Sequence, residues 1–245
     1  MSDLISIIIP VYNHEQALHQ ALASIAAQTY KDIEIIIVDD GSSVPVKCQV
    51  STFVPSSGRG SVKCSILHQQ NRGAPAARNR GLEEAKGEYV IFWDADVIGE
   101  PEMLKKMHQT LQESPMASYT YSDFYFGRKK MPARLFDSEA LRQNNYIHST
   151  SLIRRAALSP KPWDESLKRF QDWDLWLTFL ENNKTGVYVP EYLFRVIPRK
   201  RGMSYWLPSF AYRAPWRWLP WMRGRVREYE DGRAAVVKKH GLNGD

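Results

Sequence analysis

Apolar positions along this chain fall into short, dense runs separated by polar clusters. Residues 4–11 carry isoleucine at 5, 7, 8 and 9 and run out at Pro10 and Asn13. β-Branched residues in a run of this length predict a buried strand. Over residues 15–28 the spacing changes: Ala17, Leu18, Ala21, Leu22 and Ile25 recur at helical intervals. Residues 33–38 form a second β-branched run, stopped by Asp39-Asp40-Gly41-Ser42. Strand, helix and strand in this order make a βαβ unit, which requires parallel pairing and a right-handed crossover.

The alternation continues. Residues 44–61 are rich in Ser, Pro and Gly and predict a loop-like insertion around a short element. Residues 63–68 read as a third strand, and residues 74–85 as a helix ended by Lys86-Gly87. Residues 89–93 read as a fourth strand, stopped by Asp94-Ala95-Asp96, and residues 101–111 as a helix with proline in its first turn. Beyond Pro115 the rhythm changes. Residues 119–126 alternate like an antiparallel strand, and residues 149–153 suggest another. Residues 172–181 place Leu175, Trp176, Phe179 and Leu180 on one helical face, and 187–189 and 193–197 read as short strands. The expected fold class is α/β with a mostly parallel central sheet. Its expected parts are an α/β half over 1–114, a mixed half of the same domain over 115–204, and a tail over 205–245.

Length and composition narrow the class. At ~150 residues per domain, 245 residues make one or two domains. Apolar content of 43% and charged content of 24% exclude wholesale disorder. Cys48 and Cys64 are too few for a disulfide framework or a zinc site and suit a reducing compartment. Met1-Ser2-Asp3-Leu4 has no basic leader character, and no run approaches the ~18 apolar residues of a spanning helix. The expectation is a cytoplasmic protein, bound at most peripherally to the inner face of a membrane.

The net charge of +6 hides an asymmetry: residues 195–245 carry a net +8 and the preceding 194 a net −2. The tail also holds Trp206, Trp216, Trp218 and Trp221, with Arg213 and Arg217 between them and prolines at 208, 215 and 220 to break any long helix. Two readings stand. The tail lies on an anionic membrane surface, where each Lys or Arg adds ~1 kcal/mol, or it packs on the rest of the chain. A net acidic body without a recognition motif argues against a nucleic-acid partner.

In a parallel sheet, ligands bind beyond the carboxyl ends of the strands. Three predicted strands end there in polar clusters: Pro10-Val11-Tyr12-Asn13, Asp39-Asp40-Gly41-Ser42 and Asp94-Ala95-Asp96. Any one alone would make an ordinary turn; together they gather four carboxylates, which need a cation or hydrogen-bond donors to stay ionised. Magnesium-type ions take one or two carboxylates and complete their shell with substrate phosphates. Asn71-Arg72-Gly73 and Arg78-Asn79-Arg80-Gly81 supply guanidinium groups suited to phosphate. The pattern points to a nucleotide-like ligand bound with a metal.

These residues resemble those of the family 2 glycosyltransferases, inverting enzymes that use nucleotide diphosphosugars and have the Rossmann-like GT-A fold. The resemblance covers about residues 4–205. It implies that Pro10, Tyr12 and Asp39 line the nucleobase pocket beside Asn13, with Asp40 at its edge. It places Asn71 and Arg78 on the phosphate side, Asp94 and Ala95 by the ribose, and Asp96, with Asp94 also in the shell, on Mn²⁺ or Mg²⁺. Gln171-Asp172-Trp173-Asp174-Leu175 resembles the family segment Glu-Asp-Trp-Asp-Leu, whose second residue is the base; that role falls to Asp172, while Asp174 reads as a cap or ion-pair residue. Two positions depart from the pattern: Gln171 stands for Glu, and Pro198 stands where many members have His. Arg199, Lys200 and Arg201 would then neutralise the diphosphate in its place. His148, Trp163 and Trp173 read either as core residues or as acceptor contacts. The implied partners are a nucleotide diphosphosugar donor and a sugar or lipid-linked hydroxyl acceptor. A non-catalytic nucleotide-sugar binder of the same fold is the alternative. A nucleotidyltransferase would need a glycine-rich loop after the first strand, which Tyr12-Asn13-His14-Glu15 is not.

Overall fold

The structure, a computed structural model, describes residues 3–47, 63–198 and 220–242. Strand β1 (Ile5–Val11) is followed by α1 (Glu15–Ala26), β2 (Ile33–Asp39), β3 (Lys63–His68), α2 (Ala74–Glu84) and β4 (Tyr89–Phe92). The four strands pair in the order β3-β2-β1-β4, all in parallel. Both faces of β1, β2 and β4 are covered, which is why these strands are apolar runs rather than alternating ones, while β3 at the edge is only partly buried. Ile5, Ile7, Ile9, Ile35 and Ile37 meet Leu18, Leu22 and Ile25 of α1 on one face, together with Leu104, Met107 and Leu111 of α3 (Met103–Glu113). Ile8, Ile36, Val38 and Phe92 lie on the other, against α2 and α5 (Gln171–Glu181). Helix α2 packs closely enough that a Cβ at Gly81 would lie 2.4 Å from Ile8 Cγ2.

The sheet continues without a break into the second half. β4 pairs antiparallel with β8 (Leu152–Arg154), and β8 antiparallel with β6 (Tyr119–Phe126). β6 then pairs parallel with β9 (Gly186–Val196), whose far end pairs antiparallel with β5 (Val97–Gly99). β7 (Lys129–Met131) pairs with β6 outside this path. The described strands thus form one nine-stranded sheet, parallel at one end and mixed at the other.

Several local expectations change. β6 is antiparallel to β7 and β8 but parallel to β9. The strands predicted at 187–189 and 193–197 are one strand: Val189 stands opposite Ser122 and Tyr192 opposite Asp123, so Pro190-Glu191 bulges without ending the pairing. The strand predicted at 149–153 begins only at Leu152. β5, β7 and α4 (Ser138–Gln143) are too short to show a period. Pro220 does not break a helix. It opens α6 (Pro220–Lys239), in the first turn, where a missing N–H costs no helical hydrogen bond. Val236 of α6 is fully buried in the second core. The insertion beyond residue 47, Pro208, Pro215, Trp206, Trp216, Trp218, and Arg199, Lys200 and Arg201 lie outside the described residues. No described helix is long and apolar enough to cross a membrane.

Candidate active site

The parallel strands bring their polar ends together at one edge of the sheet. After β1, Asn13 takes a left-handed backbone (φ 53°), which asparagine tolerates. Its Oδ1 accepts from the Ser43 N–H at 2.9 Å and the Ser43 hydroxyl at 2.8 Å, while its N–H donates to Ser42 Oγ at 2.9 Å. The ends of β1 and β2 are thereby tied. Tyr12 beside it is 47% exposed, and Pro10 is half-buried.

The two acids at the end of β2 are both buried. Asp39 Oδ1 accepts from the Ser42 N–H at 2.9 Å, and Oδ2 from the Val46 N–H at 3.1 Å. His68 Nδ1 stands 3.1 Å from Oδ2. Burial pushes the Asp39 carboxyl up, but the Ser42, Val46 and His68 hydrogen bonds outweigh it, and its pKa falls below the usual value. Asp40 accepts from Gln69 Nε2 at 2.7 Å, the Arg72 N–H at 2.9 Å and the Gly73 N–H at 2.8 Å. Asn71 Nδ2 donates to the Asp40 carbonyl at 3.0 Å. A buried carboxylate thus fastens the loop that opens α2. Gly41 (φ 79°) makes room for it: a Cβ there would lie 2.8 Å from the Asn71 nitrogen.

Arg78 on α2 is the centre of the site. It is 6% exposed. Its Nη2 donates to Asp94 Oδ1 at 2.6 Å, and its Nη1 to Gln171 Oε1 at 3.2 Å. The guanidinium lies 4.5 Å from the centroid of the Trp163 ring. Trp163 is buried, and its backbone is clasped by Asn79: Nδ2 donates to the Trp163 carbonyl at 2.9 Å and Oδ1 accepts from its N–H at 3.1 Å. Trp163 and Trp173 are both core residues, the latter donating from Nε1 to the Leu141 carbonyl at 2.6 Å.

Asp94, Ala95 and Asp96 lie in a turn between β4 and β5, closed by the Val97 N–H on the Asp94 carbonyl at 2.9 Å. Asp94 Oδ2 also accepts from the Ser149 hydroxyl at 3.3 Å. Ala95 is buried and Asp96 half-buried. The Ile197 N–H donates to the Asp96 carbonyl at 2.8 Å, so the turn is stitched to the chain leaving β9 just before Pro198. Among the described residues no three His, Cys, Asp or Glu side chains gather into a metal cage. Asp94 and Asp96, with one residue between them, offer two carboxylates of which one is already engaged by Arg78, so a cation held there would draw its remaining ligands from a bound molecule.

Asp172 occupies the first turn of α5, facing the same site. Its Oδ2 accepts from Asn145 Nδ2 at 2.8 Å and its Oδ1 from the Trp173 N–H at 2.9 Å. Burial pushes its pKa up. The Trp173 hydrogen bond and the Arg78 charge pull it down, and the Asp94 charge raises it again. Asp172 thus shares one electrostatic environment with Arg78 and Asp94. Gln171 fits its place as an amide: Oε1 accepts from Arg78 while Nε2 donates to the Leu167 carbonyl at 2.9 Å, and a carboxylate has no donor for the second bond. Asp174 pairs with Lys239 and His240 of the C-terminal segment, an ion-pair role as expected.

His148 sits against Phe124 and Phe194, with ring centroids 4.8 and 5.1 Å away. Burial, with Arg78 nearby, pushes its pKa down to about 4 despite the Asp94 charge. Its Nδ1 accepts from the Thr150 N–H at 3.0 Å, so the ring is neutral. Asn145, Ser149 and Glu165 join the site without any motif to announce them. Glu165 accepts from Arg72 Nη2 at 2.7 Å and Asn79 Nδ2 at 3.1 Å, closing the α2 side.

Residues 6–159 match the family described as Glycosyl transferase family 2. Glycosyltransferase GlyG of Streptococcus pneumoniae is 40% identical over 114 residues, covering 46% of this chain and 36% of its own. An uncharacterized glycosyltransferase of Rickettsia typhi is 32% identical over 199 residues, covering 73% of this chain and 59% of its own. The matches thus span 36% and 59% of these relatives' length, less than two thirds of each. Among solved structures, S. aureus TarS 1–349 in complex with UDP-GlcNAc superposes with a TM-score of 0.66 at 21% identity, over 83% of this chain and 61% of that one. TarS 1–349 in complex with UDP gives 0.63. The fold is shared.

Proposed function

The chain belongs to glycosyl transferase family 2, and we propose that it moves a sugar from a nucleotide diphosphosugar to a hydroxyl acceptor with inversion at the anomeric carbon. The observation that supports this reading is the link from Asp94 through Arg78 to Gln171, which joins the turn after β4 to the start of the helix that carries Asp172. A nucleotide-sugar donor is also supported by TarS, which is described in complex with UDP and with UDP-GlcNAc.

Inversion is one in-line displacement. The acceptor oxygen forms a bond to the anomeric carbon as the bond from that carbon to the diphosphate oxygen breaks, and the electron pair leaves with the diphosphate. The acceptor proton must go to a carboxylate within about 2.6–3.2 Å. Asp172 is assigned this task; its partners Asn145 and the Trp173 N–H leave it lone pairs for a hydroxyl. Pro10, Tyr12, Asn13 and Asp39 would line the base and ribose side, and Asn71, by way of the loop that Asp40 holds, the phosphate side. Asp96, with Asp94 and the Ala95 turn, would hold Mg²⁺ or Mn²⁺. When bound, that ion supplies positive charge against the charge developing on the leaving diphosphate. Arg78 contributes its own charge from behind Asp94.

The asymmetric charge of the tail supports an acceptor at an anionic surface, in assembly of a cell-surface polysaccharide, glycan or lipid-linked sugar. The test is a thermal-shift screen against UDP, GDP and dTDP sugars with Mn²⁺, followed by assay of released nucleoside diphosphate with candidate acceptors. Turnover of a selected donor supports the reading. Binding without turnover, over every acceptor class offered, replaces it with a non-catalytic nucleotide-sugar binder.

A further inference from the structure

The carboxylate of Asp172 is held from two segments remote in sequence. Asn145, just beyond α4, grips Oδ2, and the α5 start that carries Asp172 follows Phe170, whose left-handed φ of 59° is uncommon for a bulky residue. Helix α6 touches both segments. Arg233 Nη2 donates to the Gln143 carbonyl at 3.2 Å, two residues before Asn145, and its guanidinium lies 5.7 Å from the Trp173 ring, one residue after Asp172. Tyr229 packs edge-on against Phe170 with ring centroids 4.9 Å apart. Arg169 Nη2 reaches Glu228 at 3.0 Å.

About two turns further on, the contact becomes buried and charged. Lys239 Nζ stands 2.7 Å from Asp164 Oδ2 and 2.7 Å from Asp174 Oδ1. His240 follows α6 with its side chain 2% exposed; Nε2 meets Asp174 Oδ1 at 2.9 Å and Nδ1 meets Glu181 Oε1 at 2.7 Å. Asp174 is equally buried, two residues from Asp172. A buried carboxylate needs such partners to remain where it is.

We propose that α6 and His240 beyond it form a positioning device for Asp172: Arg233 ties the α4 end that presents Asn145 to Trp173 beside Asp172, and His240 anchors α6 to the same helix through Asp174 and Glu181. This rests on the assignment of Asp172 as base. Neither residue reaches the reacting atoms. They act by keeping two segments in register, and a displacement of about 1 Å at a reacting group costs on the order of a hundredfold in rate.

The experiment compares Arg233→Ala, Arg233→Lys, His240→Ala and Asp172→Asn, with Arg227→Ala as a control at the exposed Arg227–Asp231 pair. The readout is nucleoside diphosphate released from the donor that the screen selects, resolved into kcat and KM, beside the Kd for the matching nucleoside diphosphate with Mn²⁺. Arg233→Ala and His240→Ala lower kcat about tenfold at near-constant KM and Kd, Arg233→Lys restores part of it, and Arg227→Ala changes nothing. Folded Arg233→Ala and His240→Ala with undiminished kcat overturn the proposal, as does a loss in which kcat, KM and Kd worsen together. If His240→Ala does not fold, the Arg233 pair of variants decides. Asp172→Asn separates the two readings. If it is inactive while Arg233→Ala is fully active, the base stands and the positioning device falls; if it turns over like the unmodified chain, both fall.

Discussion

Arg78 and Asp94 meet at 2.6 Å beneath the sheet edge, and the other terminal nitrogen of the same guanidinium reaches Gln171 at 3.2 Å. One buried cation therefore joins the turn after β4 to the helix that carries Asp172. The Arg78 side chain is 8% exposed and that of Asp94 26%. Removing Arg78 strands a partly solvated acid, and Arg78→Ala should cost about 2–4 kcal/mol. Arg78→Lys should recover little of it, since one ammonium does not reproduce a fork that also stacks on Trp163. In urea unfolding, the Arg78→Ala, Asp94→Asn double variant should lose less than the sum of the singles.

Asp172→Asn should lower turnover by on the order of 10²–10⁴ and leave nucleotide binding within about twofold. Burial raises the Asp172 pKa, so the acid limb of the rate should lie above the ordinary carboxylate range. Turnover should rise with pH through that limb, as the base ionises. A pH–rate profile of kcat/KM with the selected donor checks both the direction and its loss in the variant.

Asp96→Ala should abolish turnover and remove the part of nucleotide affinity that depends on divalent metal. Calorimetric titration with UDP, or the nucleotide that the screen selects, should show tighter binding with Mn²⁺ than with EDTA for the unmodified chain and no difference for the variant. Asp172→Asn should keep the difference.

His148 sets an acid-side loss of stability. Its folded pKa of about 4 lies below the unfolded value of 6.5. The unfolded chain therefore takes up a proton first, and stability falls as pH drops from 6.5 towards about 4. The loss is on the order of 3 kcal/mol. His240 shifts in the opposite direction: burial opposes its charge, but Asp174 and Glu181 raise its pKa, so its contribution is complete below 6.5 and declines as pH rises through the raised value. Urea midpoints at a series of pH values should show a shallower acid limb for His148→Gln.

If the tail meets an anionic surface, the chain should float with anionic vesicles at low salt, stay unbound to neutral ones, and be released at about 1 M salt, where screening acts within a few ångströms. Absence of flotation at any salt would remove the membrane from the proposed setting.

The parallel half was legible because both faces of β1, β2 and β4 are covered. That demand writes runs such as Ile5–Val11 and Ile33–Asp39 directly into the sequence. The strand-end acids were legible for the related reason that they interrupt those runs. The second half was less so. Pro190-Glu191 breaks the apolar pattern of β9 but not its pairing, and three-residue strands such as β5 and β7 carry no period. Pro220 is neutral to a helix it opens and disruptive to one it interrupts, and composition does not distinguish the two. In the site, Asp172 announced itself through its neighbours Gln171, Trp173 and Asp174. Asn145 and Ser149 did not, since a lone amide or hydroxyl in a loop gains its meaning only from what the fold sets opposite it.

Asp40 has a consequence for any ligand that enters. Its carboxylate satisfies Gln69 and the N–H groups of Arg72 and Gly73 from within the protein, so the backbone leading into α2 is already in place when the chain has folded. The freedom lost in shaping that wall belongs to folding rather than to association, and any ligand arriving there would meet backbone whose hydrogen bonds are already made.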